Sequence, residues 1–338
     1  MSYHDALNYL ARKTPVIELY DQLGGRVAVC PDWNGKVLTS TNGGLDGDSF
    51  GFINVHAIDT ECFEDFGGED QWTFSPLIYS FAVESIKENR IVLQQIRQMA
   101  DANGMPAELH VTRTISLLSR SQAGTLFGDA VADALKQSDV SDVGFYTENT
   151  VRSQEKAYVA SRQRGMFNAS PHTAVIVSMP PVSFTPEPFA VGIDYLGGAP
   201  HGRVRYLAQT LLIRTDGQKR CQVTMPFAAA PPVFGAIELR SGTLTLWTFD
   251  LPEGSSEEND VIRIYNPGLS QGLSHGGEPG LAAYYEVNCF SAVRELQPEH
   301  PLTSSRYTVH INADNSTLDG IIQQTFGVSL TGISRKMF

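Results

Sequence analysis

Along most of this chain apolar and polar residues alternate with a period of two, the signature of half-buried strands. In PVIELYDQLGGRVAVCPDWNGKVLTSTNGG (15–44), Val27 and Val29 alternate with small residues and Asn34-Gly35 is a hairpin signal. SFGFINVHAID (49–59) and SPLIYSFAVES (75–85) read as further strands. ELHVTRTISLLS (108–119) sets His110, Thr112 and Thr114 against Leu109, Val111 and Ile115, though imperfectly. From residue 143 onward nearly every run is a short strand, punctuated by Gly, Pro, Asp and Asn roughly every 10–15 residues.

Helical spacing is rarer. Residues 1–15 form an amphipathic segment with Ala6, Leu7 and Leu10 on one face. FGDAVADALKQ (127–137) groups Ala130, Ala134 and Leu135, and STLDGIIQQTFGV (316–328) groups Leu318, Ile321 and Ile322 behind a Ser/Thr start. NRIVLQQIRQMAD (89–101) is a second internal helix candidate, weakened by its β-branched start. No strand–helix–strand alternation occurs, which argues against a doubly wound sheet. There is no internal repeat and no clear linker; LPEGSSEEND (251–260) reads as a solvated loop. The expectation is a mainly β fold with a few short helices: one domain over residues 1–338, built as a two-sheet sandwich.

Composition narrows the partners. A net charge of −12 without a basic stripe argues against nucleic acid. No apolar run reaches the ~18 residues of a membrane span. The start MSYHDALNYLARKTPVIEL lacks a secretory leader's basic-then-apolar pattern, so a cytoplasmic location is expected. Cys30, Cys62, Cys221 and Cys289 form no CxxC pair and read as free, buried thiols. The eight histidines show no ligand spacing, so no metal is expected, and no phosphate-loop or dinucleotide motif points to a cofactor.

Three stretches carry candidate chemistry. GGEDQW (67–72) places Glu69 and Asp70 beside Trp72 after two glycines. It reads as a solvated turn, or as the rim of a sugar site, where carboxylates accept from hydroxyls and an aromatic ring covers C–H groups. AYYEVNCFSAV (283–293) sets Glu286 in an apolar strand; alternation puts Tyr284, Glu286 and Asn288 on one face and Tyr285, Val287 and Cys289 on the other. The polar set suits a groove lining, and a carboxyl among tyrosines suits a general base. His56 and His310 lie on strand-like runs, whereas His201 sits in the glycine-rich LGGAPHG (196–202) beside Arg203.

GGEDQW, RGMFNASPHTAVIVSM (164–179), VIRIYNPG (261–268), AAYYEVNCFSAVRELQPEH (282–300) and YTVHI (307–311), in that order, resemble an uncharacterised bacterial family of the galactose-mutarotase-like superfamily, over residues ~20–330. The resemblance implies a β-supersandwich with a cleft sized for a mono- or oligosaccharide. By similarity to aldose-1-epimerases it gives Glu286 the role of base. His201, His310 or His56 would be the acid, and His172 occupies the region of the epimerases' Asn-His-Tyr-Phe-Asn stretch. Glu69, Asp70, Trp72 and Arg203 would hold hydroxyls and ring, with Tyr284 and His56 nearby. The family's YNDG reads YNPG here, with Pro267 replacing the acid, and its YELE reads YYEVN, with Asn288 replacing the second glutamate. Two alternatives stand beside anomer interconversion: a non-catalytic sugar-binding or sensing protein, and a glycoside hydrolase or polysaccharide lyase using Glu69 opposite Glu286. Counted along the sequence, the candidate site holds more acids than cations, which argues against a phosphate on the ligand.

Overall fold

A computed structural model describes residues 1–55, 66–73, 79–179, 192–194, 202–226, 231–250, 260–267 and 283–338. The chain opens with helix α1 (Tyr3–Ala11), capped where Ser2 Oγ accepts from the Asp5 N–H. Strands β1 (Ile17–Tyr20), β2 (Arg26–Cys30) and β3 (Lys36–Thr41) follow as a small antiparallel sheet. Asn34 and Gly35 both take positive φ, 56° and 58°, in the turn before β3, as the hairpin signal requires. Next come β4 (Gln71–Thr73), β5 (Ala82–Lys87), β6 (Arg90–Ala100) and β7 (Pro106–Leu117). Helices α2 (Arg120–Phe127) and α3 (Asp129–Ala134) separate these from β8 (Ser141–Ser153), β9 (Ala157–Val159), β10 (Arg162–Asn168) and β11 (Thr173–Ser178).

The second half runs β12 (Gly192–Asp194), β13 (Val204–Leu207), β14 (Thr210–Arg214), β15 (Cys221–Pro226), β16 (Phe234–Glu238) and β17 (Thr243–Phe249). It continues through β18 (Asp260–Asn266), β19 (Tyr284–Phe290), β20 (Arg294–Leu296) and β21 (Leu302–Asn312) to helices α4 (Asn315–Phe326) and α5 (Leu330–Met337).

Two sheets dominate. A ten-stranded antiparallel sheet has the order β13-β14-β11-β16-β17-β21-β8-β7-β6-β5, and a six-stranded one the order β12-β15-β18-β19-β10-β4. Alternation gives the central strands of the large sheet, such as β11, β16 and β17, two buried faces. Ala174, Ile176, Ile237, Leu246, Val309 and Ile311 point one way, into a core closed by Phe127, Val131, Leu318, Ile322 and Ile333 of the helices. Val175, Val177, Phe234 and Trp247 point the other way and meet Val223, Ile264, Tyr285 and Val287 of the six-stranded sheet. The order is therefore helices, large sheet, smaller sheet. No helix among the described residues is long and apolar enough to cross a membrane.

Residues 89–101 resolve as strand. β6 pairs with β7 over eleven residues, from Arg90↔Ser116 to Ala100↔Pro106, and Ile91 and Leu93 are buried by the period of two. Both terminal helices and the internal one form. α4 ends at Phe326 because Gly327 adopts the left-handed conformation, φ 70°. α5 follows it, its apolar residues Leu330, Ile333 and Met337 at helical spacing. The run 49–59 contributes only isolated bridges at Gly51 and Ile53, and its residues 56–59 lie outside the described residues, as does nearly all of 251–260. Cys30, Cys221 and Cys289 are buried, the first and last as free thiols; burial raises the Cys289 thiol to about 11.

The helix layer supplies a test. Ile322 is wholly buried in the core beneath the helices, whereas Ile86 is exposed at the sheet edge. Ile322→Ala is expected to lower unfolding free energy by ~2–5 kcal/mol, and Ile86→Ala to change it by less than ~0.5 kcal/mol, in matched urea titrations.

Candidate functional site

The two glycines of GGEDQW are a pivot. Gly67 and Gly68 take φ of 93° and 108°, and a Cβ on Gly67 would lie 1.8 Å from the Phe52 carbonyl oxygen. That turn carries Glu69 and Asp70 into the space between the sheets, where both are fully buried. The Asp70 carboxylate meets the Arg113 guanidinium and lies 3.9 Å from Arg306 Nη1. Arg113 Nε donates to the Gly35 carbonyl at 2.8 Å, and Nη1 to Asn149 Oδ1 at 2.6 Å. Arg113 thus occupies a core-facing position between Val111 and Ile115, which is why the alternation of that strand reads imperfectly.

Glu69 accepts from Ser40 Oγ at 3.0 Å and from His310 Nε2 at 2.7 Å. A carboxylate has no proton to give, so Nε2 is the donor, and in the neutral ring Nδ1 accepts the Thr245 hydroxyl at 2.8 Å. Phe50 stacks on the imidazole, ring centroids 4.3 Å apart. A pocket of about 290 Å³ opens beside this histidine, lined by Phe50, Phe167, Tyr285, Thr173 and Glu238 among others. Burial raises the Tyr285 phenol pKa.

Glu286 lies on the other side of the same sheet. Its neighbours Tyr285, Val287 and Cys289 point into the core between the sheets, so alternation turns Tyr284, Glu286 and Asn288 outward. The register aligns the outward side chains in cross-strand rows. One row runs Gln71, Arg164, Asn288, Arg263, Thr224; the next runs Met166, Glu286, Tyr265, Gln222. Glu286 is only 4% exposed. It is ion-paired with Arg164, accepts from Asn288 Nδ2 at 3.3 Å, and has Arg162 Nη2 3.9 Å away. Arg162 Nε donates to Asn288 Oδ1 at 3.0 Å. Tyr284 stacks on Phe52 at 4.7 Å, and the ring of Phe290 carries Arg263 on it at 4.9 Å. The Tyr265 phenol is raised, chiefly by burial, against a lowering pull from Arg220.

Of the residues expected to form one site, the structure joins Glu286 with Tyr284 on the outer face, and Glu69 with His310 and Asp70 between the sheets. These two groups do not converge. Glu69 cannot face Glu286 across a shared cleft, and His310 cannot act on a ring seated against Glu286, because the sheet lies between them. Trp72 is fully buried in core packing with Val37, Phe145 and Val159, and covers no groove. Arg203 makes a two-pronged ion pair with Asp216, at 2.6 and 2.9 Å, away from both groups. His172 is exposed and lies beside Phe338. His56 and His201 lie outside the described residues. Arg162, Arg164, Arg263 and Tyr265 gained no role from the sequence; the signal was their two-residue spacing in RQRGMFN and VIRIYN, which puts each pair on one face. No cluster of potential metal ligands occurs among the described residues.

A family model described as "Family of unknown function (DUF6786)" matches residues 1–83 and 77–337. The chain belongs to that family. No curated protein matches it. Among solved structures it is similar to a galactose mutarotase-like protein from Lactobacillus casei ATCC 334, at 10% identity and TM-score 0.51, covering 88% of this chain and 100% of that one. It is also similar to the GalM/aldose epimerase homologue from C. elegans, at 8% identity and TM-score 0.52, covering 89% and 100%. The architecture of this DUF6786 member is galactose mutarotase-like, and at such identities the likeness concerns the fold.

Asp70 distinguishes scaffold from ligand contact. Asp70→Ala leaves Arg113 and Arg306 buried without their carboxylate and is expected to lower stability by ~3–5 kcal/mol. A residue that only touched ligand would leave the denaturation midpoint in place.

Proposed function

We propose that the protein binds a carbohydrate on the outer face of the six-stranded sheet, around Glu286, and interconverts its anomers there. One observation carries the reading: a nearly buried carboxylate held by Arg164 and Asn288 within two polar cross-strand rows, on a sheet of mutarotase-like architecture. The apolar strand forces this arrangement, since Tyr285 and Val287 fill the core and Glu286 must then point away from it.

Ring opening needs a base for the anomeric hydroxyl and an acid for the ring oxygen. Glu286 is the base. Its directly paired neighbour Tyr265 takes the acid's place, because a phenol is protonated near neutrality and this one stands beside Glu286 in the same cross-strand row. Asn288 and Arg162 orient hydroxyls, and the Phe52–Tyr284 stack offers a ring face to sugar C–H groups. The reaction proceeds unaided in water, so two positioned groups of ~10²–10⁴-fold each suffice to make it fast.

The test follows relaxation of freshly dissolved α-glucose, α-galactose, glucuronate and glucose 6-phosphate by optical rotation. The wild type is expected to accelerate at least one of them. Glu286→Gln should lower that rate by ~10²-fold or more, and Tyr265→Phe by ~10-fold or more, each measured below the variant's own unfolding transition. Binding without acceleration would leave a sugar-binding protein; neither binding nor acceleration would overturn the proposal.

A further inference from the structure

The outer face of the six-stranded sheet is cationic in an acidic chain. The chain carries a net −12. Yet Arg162, Arg164 and Arg263 sit on this face, and Arg220, just before β15, lies over the Tyr265 ring at 5.6 Å. Glu286 is engaged by Arg164 with Arg162 close by, and the register sets Asp194 opposite Gln222 at the far end of the same row. Arg220 and Arg263 form no ion pair among the described residues, and the Nε of each is buried without a hydrogen-bond acceptor there. The guanidinium carbons of Arg263 and Arg220 lie 4.9 and 5.6 Å from the ring centroids of Phe290 and Tyr265, and a guanidinium carries its N–H donors along the edge of one plane. That edge matches two oxygens of a carboxylate or a phosphate. The acids that outnumbered cations along the sequence, Glu69 and Asp70, lie between the sheets and neutralise nothing here.

We infer that the carbohydrate held on this face carries an acidic group, a carboxylate or a phosphate, gripped by Arg263 and Arg220 next to Glu286. This rests on the carbohydrate reading above. Arg263 shares its row with Asn288 and Arg164, and Arg220 reaches over the tyrosine paired with Glu286. The anion therefore docks at one side of Glu286 and orients the sugar's reacting carbon towards it.

Isothermal titration of the full chain with glucose, glucuronate, glucose 6-phosphate and inorganic phosphate, at low and high salt, tests this. At least one acidic sugar is expected to bind tenfold or more tightly than glucose, with a preference that falls as salt rises and falls at least tenfold in Arg263→Gln. Preference for glucuronate identifies the carboxylate, and preference for glucose 6-phosphate the phosphate. Equal affinity for glucose and both acidic sugars overturns this inference and leaves the carbohydrate reading intact. Inorganic phosphate binding as tightly as glucose 6-phosphate, with no affinity for glucuronate or glucose, overturns the carbohydrate reading, since the sugar would then be unread. Absence of binding by all four overturns both.

Discussion

A carboxylate removed from water must find a cation or several hydrogen-bond donors within reach. The six-stranded sheet meets that demand on both faces. On its inner side Asp70 faces Arg113 and Arg306, and Glu69 faces His310 and Ser40, so β3, β4, β7 and β21 are joined by interactions that exclude water. On its outer side Glu286 faces Arg164 and Asn288. The inner set ties the sheets together, and the outer set holds Glu286 in a charged lattice on the opposite face. Their separation follows from the two-residue period of β19 and the pivot at Gly67–Gly68, which direct neighbouring acids to opposite sides of one layer.

The fold was largely legible because its elements are short-range patterns. The Asn34-Gly35 turn, the alternation in β7, β11 and β19, and the apolar stripe of α4 are each set by residues a few positions apart. Residues 89–101 stayed open because Ile91, Leu93 and Ile96 satisfy both periods locally; the eleven-residue pairing with β7 decided it. That partner is distant information which no local pattern carries.

The placement of the candidate residues was half legible. Alternation correctly placed Tyr284, Glu286 and Asn288 together, since a strand's own period fixes that. It could not show that Glu69 and Asp70 turn inward, because the partners that make burial tolerable, Arg113, Arg306 and His310, lie 43, 236 and 241 residues away in the chain. Trp72 was misjudged for a related reason: an aromatic ring beside acids resembles a sugar platform until the acids are seen to be core groups. The arginines were passed over because an arginine on a polar strand face ordinarily means a solvated surface. Only the register, which aligns Arg164 with Arg263 across Asn288, turns scattered positive charges into a surface.

The proposed carbohydrate site lies on the outer face of this sheet, at Glu286. A crystal structure of the protein soaked with its tightest-binding sugar addresses that directly. Density is expected over β10, β18 and β19, with a ring hydroxyl within hydrogen-bond distance of Glu286 and the Tyr265 hydroxyl on the ring-oxygen side. Density in the pocket beside His310 instead, with the outer face unaltered, would contradict it and transfer the chemistry to the Glu69–His310 pair.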